Sequence, residues 1–263
     1  MSNIFHLGNT DAKQQITDTF GSEAKFCYSQ ADIKAAHSYM VTDNMSPLDC
    51  LSVIRDRKIT NVVQNSIQCL SDKLQFLKTI DYKFEDYFDP KLSLLSGDVV
   101  CVPFMLTEDR TEVIQKAFLQ AYLDLDMTKY QYLFQVATEL VMNAQIDAPK
   151  ISKKTNVANS MLIVEKNMAK GLVSISTIDH YGSLDPYKML ENIYAANKNG
   201  FRDSMSKNSI GAGLGSALIY EHTDSLVMGV IPDVMTRVSA ILPYGVSEKK
   251  INQIQKSIHI IKG

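Results

Sequence analysis

Short apolar runs separated by amphipathic stretches set out the first hundred residues. Ile4–Leu7, Lys25–Tyr28, Tyr39–Thr42 and Ile59–Val63 predict strands, whereas Asp11–Phe20, Ala31–His37 and Ser66–Ile80 predict helices and Pro47–Arg57 a helix or turn. Strand–helix alternation of this kind predicts a parallel sheet covered by helices. The pattern breaks at Asp81–Gly97, where Asp89-Pro90 and Ser96-Gly97 mark a boundary. Beyond it Val99–Met105 predicts a strand, Thr107 caps a helix running to about Leu123, and Asp126 or Thr128 starts another helix. Ser160–Glu165 and Leu172–Ile178 predict strands around a turn at Met168–Gly171, and Ser225–Ile231 and Arg237–Leu242 predict two more. In the tail, Ile251, Ile254, Ile258 and Ile261 share one helical face. That face predicts a helix docked on the body, with a dimer or partner surface as the alternative. The chain thus divides into an α/β domain (1–97), an α+β layer (98–245) and a C-terminal amphipathic helix (246–263).

The segment 133–148 carries the first candidate chemistry. At 100° per residue, Leu133, Phe134, Ala137, Leu140, Val141, Ala144 and Ala148 share one apolar face. Beside it Glu139, Asn143 and Asp147, spaced i, i+4, i+8, form a narrow row of acid, amide and acid. A surface helix of purely structural role would scatter its charges over the outer face. An Asn carbonyl can serve as one oxygen ligand to Mg²⁺, and a carboxylate one turn away can orient or deprotonate a hydroxyl.

A second segment, Ile210-Gly211-Ala212-Gly213-Leu214-Gly215-Ser216-Ala217-Leu218, runs glycines into a helix. Unhindered backbone N–H groups and a helix N-terminus suit anionic oxygens; a flexible turn is the plain alternative. No Gly-Lys-Ser/Thr follows, so this is not a Walker loop, and no strand directly precedes it, which argues against a dinucleotide turn. Upstream, the polar run Asn197–Ser209 holds Lys198, Arg202 and Lys207 and reads as a lid able to bring a cation to phosphates.

Composition narrows the classes. Apolar residues at 45% and charged residues at 21% of 263 are ordinary for a globular chain. A formal charge of −2 without a block of like charges argues against a nucleic-acid face or a polybasic membrane anchor. The apolar run Val99–Leu106 is too short to span a bilayer, and the N-terminus does not read as a secretory signal. Cys27, Cys50, Cys69 and Cys101 form no CxxC pair and are expected to be buried reduced thiols, with the cytoplasm as the compartment.

Taken together, residues 105–245 resemble the GHKL ATPase superfamily, the Bergerat fold of gyrase, histidine kinases and anti-sigma-factor serine kinases. Glu139–Ala148 is similar to the family's N-box, which implies Glu139 as base or polariser and Asn143 as the Mg²⁺ ligand. Leu172–Ile178 running into Asp179 resembles the strand that carries the adenine-binding aspartate. The family's Asp-x-Gly-x-Gly reads here as Asp179-His180-Tyr181-Gly182-Ser183, with Gly182 displaced by one position and Ser183 in place of the second glycine. Gly211, Gly213 and Gly215 match the phosphate-binding glycine box, and Thr236 matches the family's Gly-Thr near the last strand, with Met235 for the glycine. The resemblance implies a two-layer sandwich, a mixed sheet with helices on one face, that binds ATP and Mg²⁺.

Within the family the chain looks most like the anti-sigma-factor serine kinases of bacterial signalling. These transfer the γ-phosphoryl group to a serine of a partner antagonist. The resemblance implies that Glu139 orients the partner serine, Asn143 holds Mg²⁺, and Lys198 or Arg202 offsets charge on the phosphoryl group. It implies a protein partner, and a homodimer is open. The second reading is a non-catalytic nucleotide-sensing or scaffold protein, favoured by Tyr181, which would crowd the adenine. The N-terminal half loosely resembles a receiver domain. Asp43 follows the third predicted strand and Met45–Asp49 resembles the loop after the acceptor, but only Asp11 follows the first strand. A degenerate receiver and an unrelated α/β docking domain both remain.

Overall fold

The computed structural model describes residues 3–7, 10–20, 25–27, 38–42, 45–57, 59–64, 66, 68–123, 127–152, 154, 158–199, 214–251 and 253–262. The expected helix Ala31–His37, together with Asp43, Arg202, Gly211, Gly213 and the lid beyond residue 199, lies outside them.

Ten strands form one sheet: β1 (Asn3–Leu7), β2 (Lys25–Cys27), β3 (Ser38–Thr42), β4 (Asn61–Gln64), β5 (Asp98–Phe104), β6 (Ser160–Asn167), β7 (Leu172–Asp179), β8 (Ser225–Ile231), β9 (Met235–Pro243) and β10 (Ser257–Lys262). Their spatial order is β2-β1-β3-β4-β10-β8-β9-β7-β6-β5. The first four are parallel, in the order of a flavodoxin-like, doubly wound sheet. From β8 to β5 every pair is antiparallel. β10 joins the two halves, antiparallel to β4 and parallel to β8.

The tail expectation is therefore corrected. A short helix, Glu248–Ile251, is followed by a strand where a continuous amphipathic helix was expected. The spacing of Ile251, Ile254, Ile258 and Ile261 suits a helix, but β-branched Ile258, Ile260 and Ile261 also fit a pleated, buried strand. Two open strand edges, β4 and β8, supply ladder partners that outweigh local periodicity.

Alternation along the strands defines the two faces. Met40, Val62, Val102, Leu162, Val173, Leu226, Ala240 and Ile258 pack on one side under α2 (Pro47–Arg57), α4 (Arg110–Gln120), α5 (Met127–Met142), α7 (Pro186–Asn199) and α8 (Leu214–His222). On the other side Val41 and Val63 meet α1 (Thr10–Phe20) and α3 (Leu70–Tyr82). The periodicity analysis does not predict α7, although Met189, Leu190 and Ile193 are buried on one of its faces. α4 begins later than Thr107, because Asp109 is the cap, accepting from Glu112 N at 3.1 Å. Cys50 is buried, but Cys69 is exposed and Cys101 half-buried, so the expectation of uniformly buried thiols does not hold.

A sheet with helices on one face only would leave the second face of β7–β9 bare. Instead a strap, residues 84–97, crosses it. Its 3-10 turn Phe84–Phe88 packs Tyr87 and Phe88 with Val227, Ile241 and Ile261. Gly229 gives Tyr87 its room, since a Cβ there would come within 2.5 Å of the ring. Arg237 Nη1 donates to Tyr87 O and Asp89 O at 2.7 and 2.9 Å. Buried Glu165 accepts from Ser93 Oγ (2.6 Å), Leu94 N (2.7 Å), Leu95 N (2.8 Å) and Gly97 N (2.8 Å).

Where β4, β8 and β10 meet, Lys73 and Asp224 form a fully buried ion pair at 2.9 Å. Lys73 also donates to Gln64 O and Ser257 Oγ at 2.9 and 3.0 Å. Lys256 donates to Glu221 O and Thr223 O at the end of α8, at 2.7 and 2.9 Å. Burial, with the Lys73 charge adding, pushes the pKa of His259 down to about 3. Between that value and the ordinary 6.5 the unfolded chain binds the extra proton, so this contribution to stability falls as pH drops below about 6.5. Urea unfolding at pH 7 and pH 5 should show His259→Asn losing roughly 2 kcal/mol less than wild type on acidification, at about 1.4 kcal/mol per pH unit. Parallel losses in the two proteins would refute the assignment. Among the described residues, no helix is long and apolar enough to cross a membrane.

Candidate functional site

The helical face of the sheet collects the candidate residues. Asp179 ends β7 and lies directly across from Thr236 of β9 in the antiparallel register. Both share the side of Val173 and Val238, under the helices, and both are buried. Burial raises the pKa of the Asp179 carboxyl. The N–H groups of Tyr181 and Gly182, the Thr236 hydroxyl and the Lys154 charge oppose that rise. Tyr181 N donates to Asp179 Oδ1 at 2.9 Å. The Thr236 hydroxyl is near enough to act on the carboxyl, yet it makes no hydrogen bond of normal geometry.

The loop after Asp179 is held at both ends. Gly182 has φ +62°, and a Cβ there would overlap the backbone of the β8–β9 turn, including Ile231 O and Val234 N. Only glycine fits that backbone and that space. Asp233 N donates to Gly182 O at 3.1 Å, and Ser183 Oγ to Ala148 O at 3.2 Å. The Tyr181 ring is buried, and its phenol pKa is raised by burial and by the Asp179 charge.

Glu139 and Asn143 come from the end of α5, which packs across β7 and against α8. Leu133, Ala137, Leu140, Val141 and Ala144 are buried as their periodicity predicts, and Glu139 and Asn143 are half-buried at the border of that face. The Glu139 carboxylate lies so close to Gly215, in the first turn of α8, that a Cβ there would overlap it. A side chain at 215 would displace the Glu139 carboxylate from this position. Burial raises the Glu139 pKa; the Arg110 charge lowers it and Asp147 raises it further. The site therefore holds a carboxylate that accepts a proton more readily than an exposed one, beside a helix N-terminus.

After Met142 the helix widens into a π segment, Asn143–Asp147, and then α6 (Ala148–Ile151). π segments recur at functional sites. Lys198 is exposed in the last turn of α7, with its ammonium 5.7 Å from the centroid of the Tyr194 ring. Among the described residues no contact joins it to Glu139, Asn143, Asp179 or Thr236.

Three residues not singled out in the sequence belong to this region: Arg110, whose charge bears on Glu139; Lys154, which donates to Asp233 O and acts on Asp179 and His180; and Gln145. Only Gln145 carried a signal. It falls four residues after Val141 on the apolar face, where a polar side chain needs a partner.

For Mg²⁺ the donors are of the right kind: the Asn143 carbonyl with Glu139 and Asp147 in one row, all hard oxygen. Among the described residues no group of three or more His, Cys, Asp or Glu could hold a metal ion. A bound Mg²⁺ would therefore need phosphate and water for its remaining ligands, its ordinary mode.

No family model matches the chain, and no curated protein matches it. A chain in the crystal structure of the SiaB-SiaC complex from Pseudomonas aeruginosa superposes with a TM-score of 0.39 at 16% sequence identity, covering 63% of this chain and 99% of that one. A likeness of that size carries no argument about activity or partners. The class defined by the structure is α/β: a mixed ten-stranded sheet with helices.

Proposed function

We propose that this chain binds Mg-ATP at a Bergerat-type site of the GHKL kind and acts as a protein serine/threonine kinase of the anti-sigma-factor type in bacterial signalling. The observation that carries the nucleotide reading is the Asp179–Thr236 pair. A buried carboxylate and a buried hydroxyl without a well-formed hydrogen bond face the helices from adjacent strands. Such a pair suits an adenine amine and ring nitrogen. Buried polar atoms without partners are uncommon and call for an explanation. Glu139 beside Gly215 supports the phosphate end, because the N-terminus of α8 favours anionic oxygens.

In this reading Asn143 would hold Mg²⁺ together with phosphate oxygens, and the bound ion would supply positive charge to the phosphoryl group. Glu139 orients the partner's hydroxyl and takes its proton, aided by its raised pKa. A protein carrying that hydroxyl is the implied partner.

A non-catalytic nucleotide sensor is the second reading, and the buried Tyr181 next to Asp179 favours it. Calorimetry with ATP, with and without Mg²⁺, tests the shared step. Asp179→Asn keeps an acceptor for Tyr181 N and Gly182 N but replaces the other carboxylate oxygen with a donor. One lost hydrogen bond, about 0.5–1.5 kcal/mol, should weaken binding several-fold. Absence of any wild-type binding would reject both readings.

A further inference from the structure

We infer that Gln145 is a positioning residue that holds the π segment so that Asn143 and Asp147 line up with Glu139, a role that rests on the nucleotide reading above. In an α-helix of 3.6 residues per turn, a four-residue step overshoots one turn, so a row spaced i, i+4, i+8 drifts around the axis. A π turn takes in one more residue, so the same step falls short. The step from Glu139 to Asn143 is α-helical and that from Asn143 to Asp147 is π. The two offsets oppose each other, and Asp147 returns toward the line of Glu139.

A widened turn departs from the regular helical ladder and needs support from outside. Gln145 provides it. Its buried side chain donates through Nε2 to Met105 O at 3.0 Å and Glu108 O at 3.2 Å. Those carbonyls belong to the turn between β5 and α4. Glu108 N donates to Met105 O at 3.3 Å, and Met105 N donates to the Glu108 carboxylate at 2.7 Å. The turn leads straight into Asp109, the cap of α4. One amide thus joins the π segment, with its acid and amide, to the turn that starts α4. A residue present only to fill space would be apolar, as Val141, Ala144 and Ala148 are on the same face.

The test uses the full chain and calorimetry with ATP, in Mg²⁺ and in EDTA. Gln145→Met keeps the length of the side chain and removes both donated bonds. Its affinity in EDTA should stay within about twofold of wild type, and the gain on adding Mg²⁺ should shrink on the order of fivefold, the scale of one well-placed polar contact. A merely structural residue would lower the melting temperature and leave the Mg²⁺ gain untouched, and that result overturns the proposal. If the Met variant does not fold, Gln145→Asn carries the same test, since its amide is one methylene short of both carbonyls. Wild type that binds ATP without a Mg²⁺ gain also overturns the positioning role, whereas wild type that binds no ATP removes the nucleotide reading itself.

Discussion

Glu139→Gln is expected to bind Mg-ATP almost as wild type does and to lose phosphoryl transfer by a factor on the order of 10²–10⁴, the usual effect of removing a positioned base. The amide has the shape of the carboxylate, so the contact with Gly215 is kept. What disappears is the proton acceptor whose basicity is raised by burial. Asn143→Ala should do the reverse, weakening Mg²⁺-dependent binding through loss of an oxygen ligand. The assay is transfer of labelled γ-phosphate to proteins in a lysate of the source organism. A wild type that binds ATP and labels nothing would end the kinase reading and leave the sensor.

Glu165→Ala is expected to destabilise the fold by about 3–5 kcal/mol, since it leaves several buried donors without an acceptor. Leu94 N, Leu95 N and Gly97 N all point at that carboxylate. For a chain of this size the melting temperature should fall by roughly 10 °C or more. Protease should cut near residues 89–97 well before the rest of the chain, because local opening precedes global unfolding. A change below about 1 kcal/mol would mean that Arg237 and the buried Tyr87 hold the strap without Glu165.

Much of the second half was legible because its strands are long and rich in Val, Ile and Leu. Val173 and Ile175 face the helices, and Ser174 and Ser176 the strap. The Glu139–Asn143 row and the aspartate ending β7 were legible too, since both follow from position within a strongly periodic element. Three things were not. β10 depends on partners about 30 and 200 residues away, and no local window contains them. The strap reads as a polar boundary because its backbone is held by Glu165 and Arg237, which sit inside other strands. The π segment is invisible to a 100° projection, which assumes the regular turn that Gln145 and the 105–108 turn displace.

The strand inserted between β4 and β8 also governs how this protein must be made. Gln64 N waits for Ser257 Oγ, 193 residues later in the chain. At ribosomal speeds of about 5–20 residues per second, that interval lasts roughly 10–40 s. Throughout it β4 presents an unpaired edge to other nascent chains, and β8 adds a second once Ser225–Ile231 has been made. A chain stopped before Ser257 keeps both edges open for good, so synthesis of the last strand, and not only of the site, decides whether the molecule stays soluble.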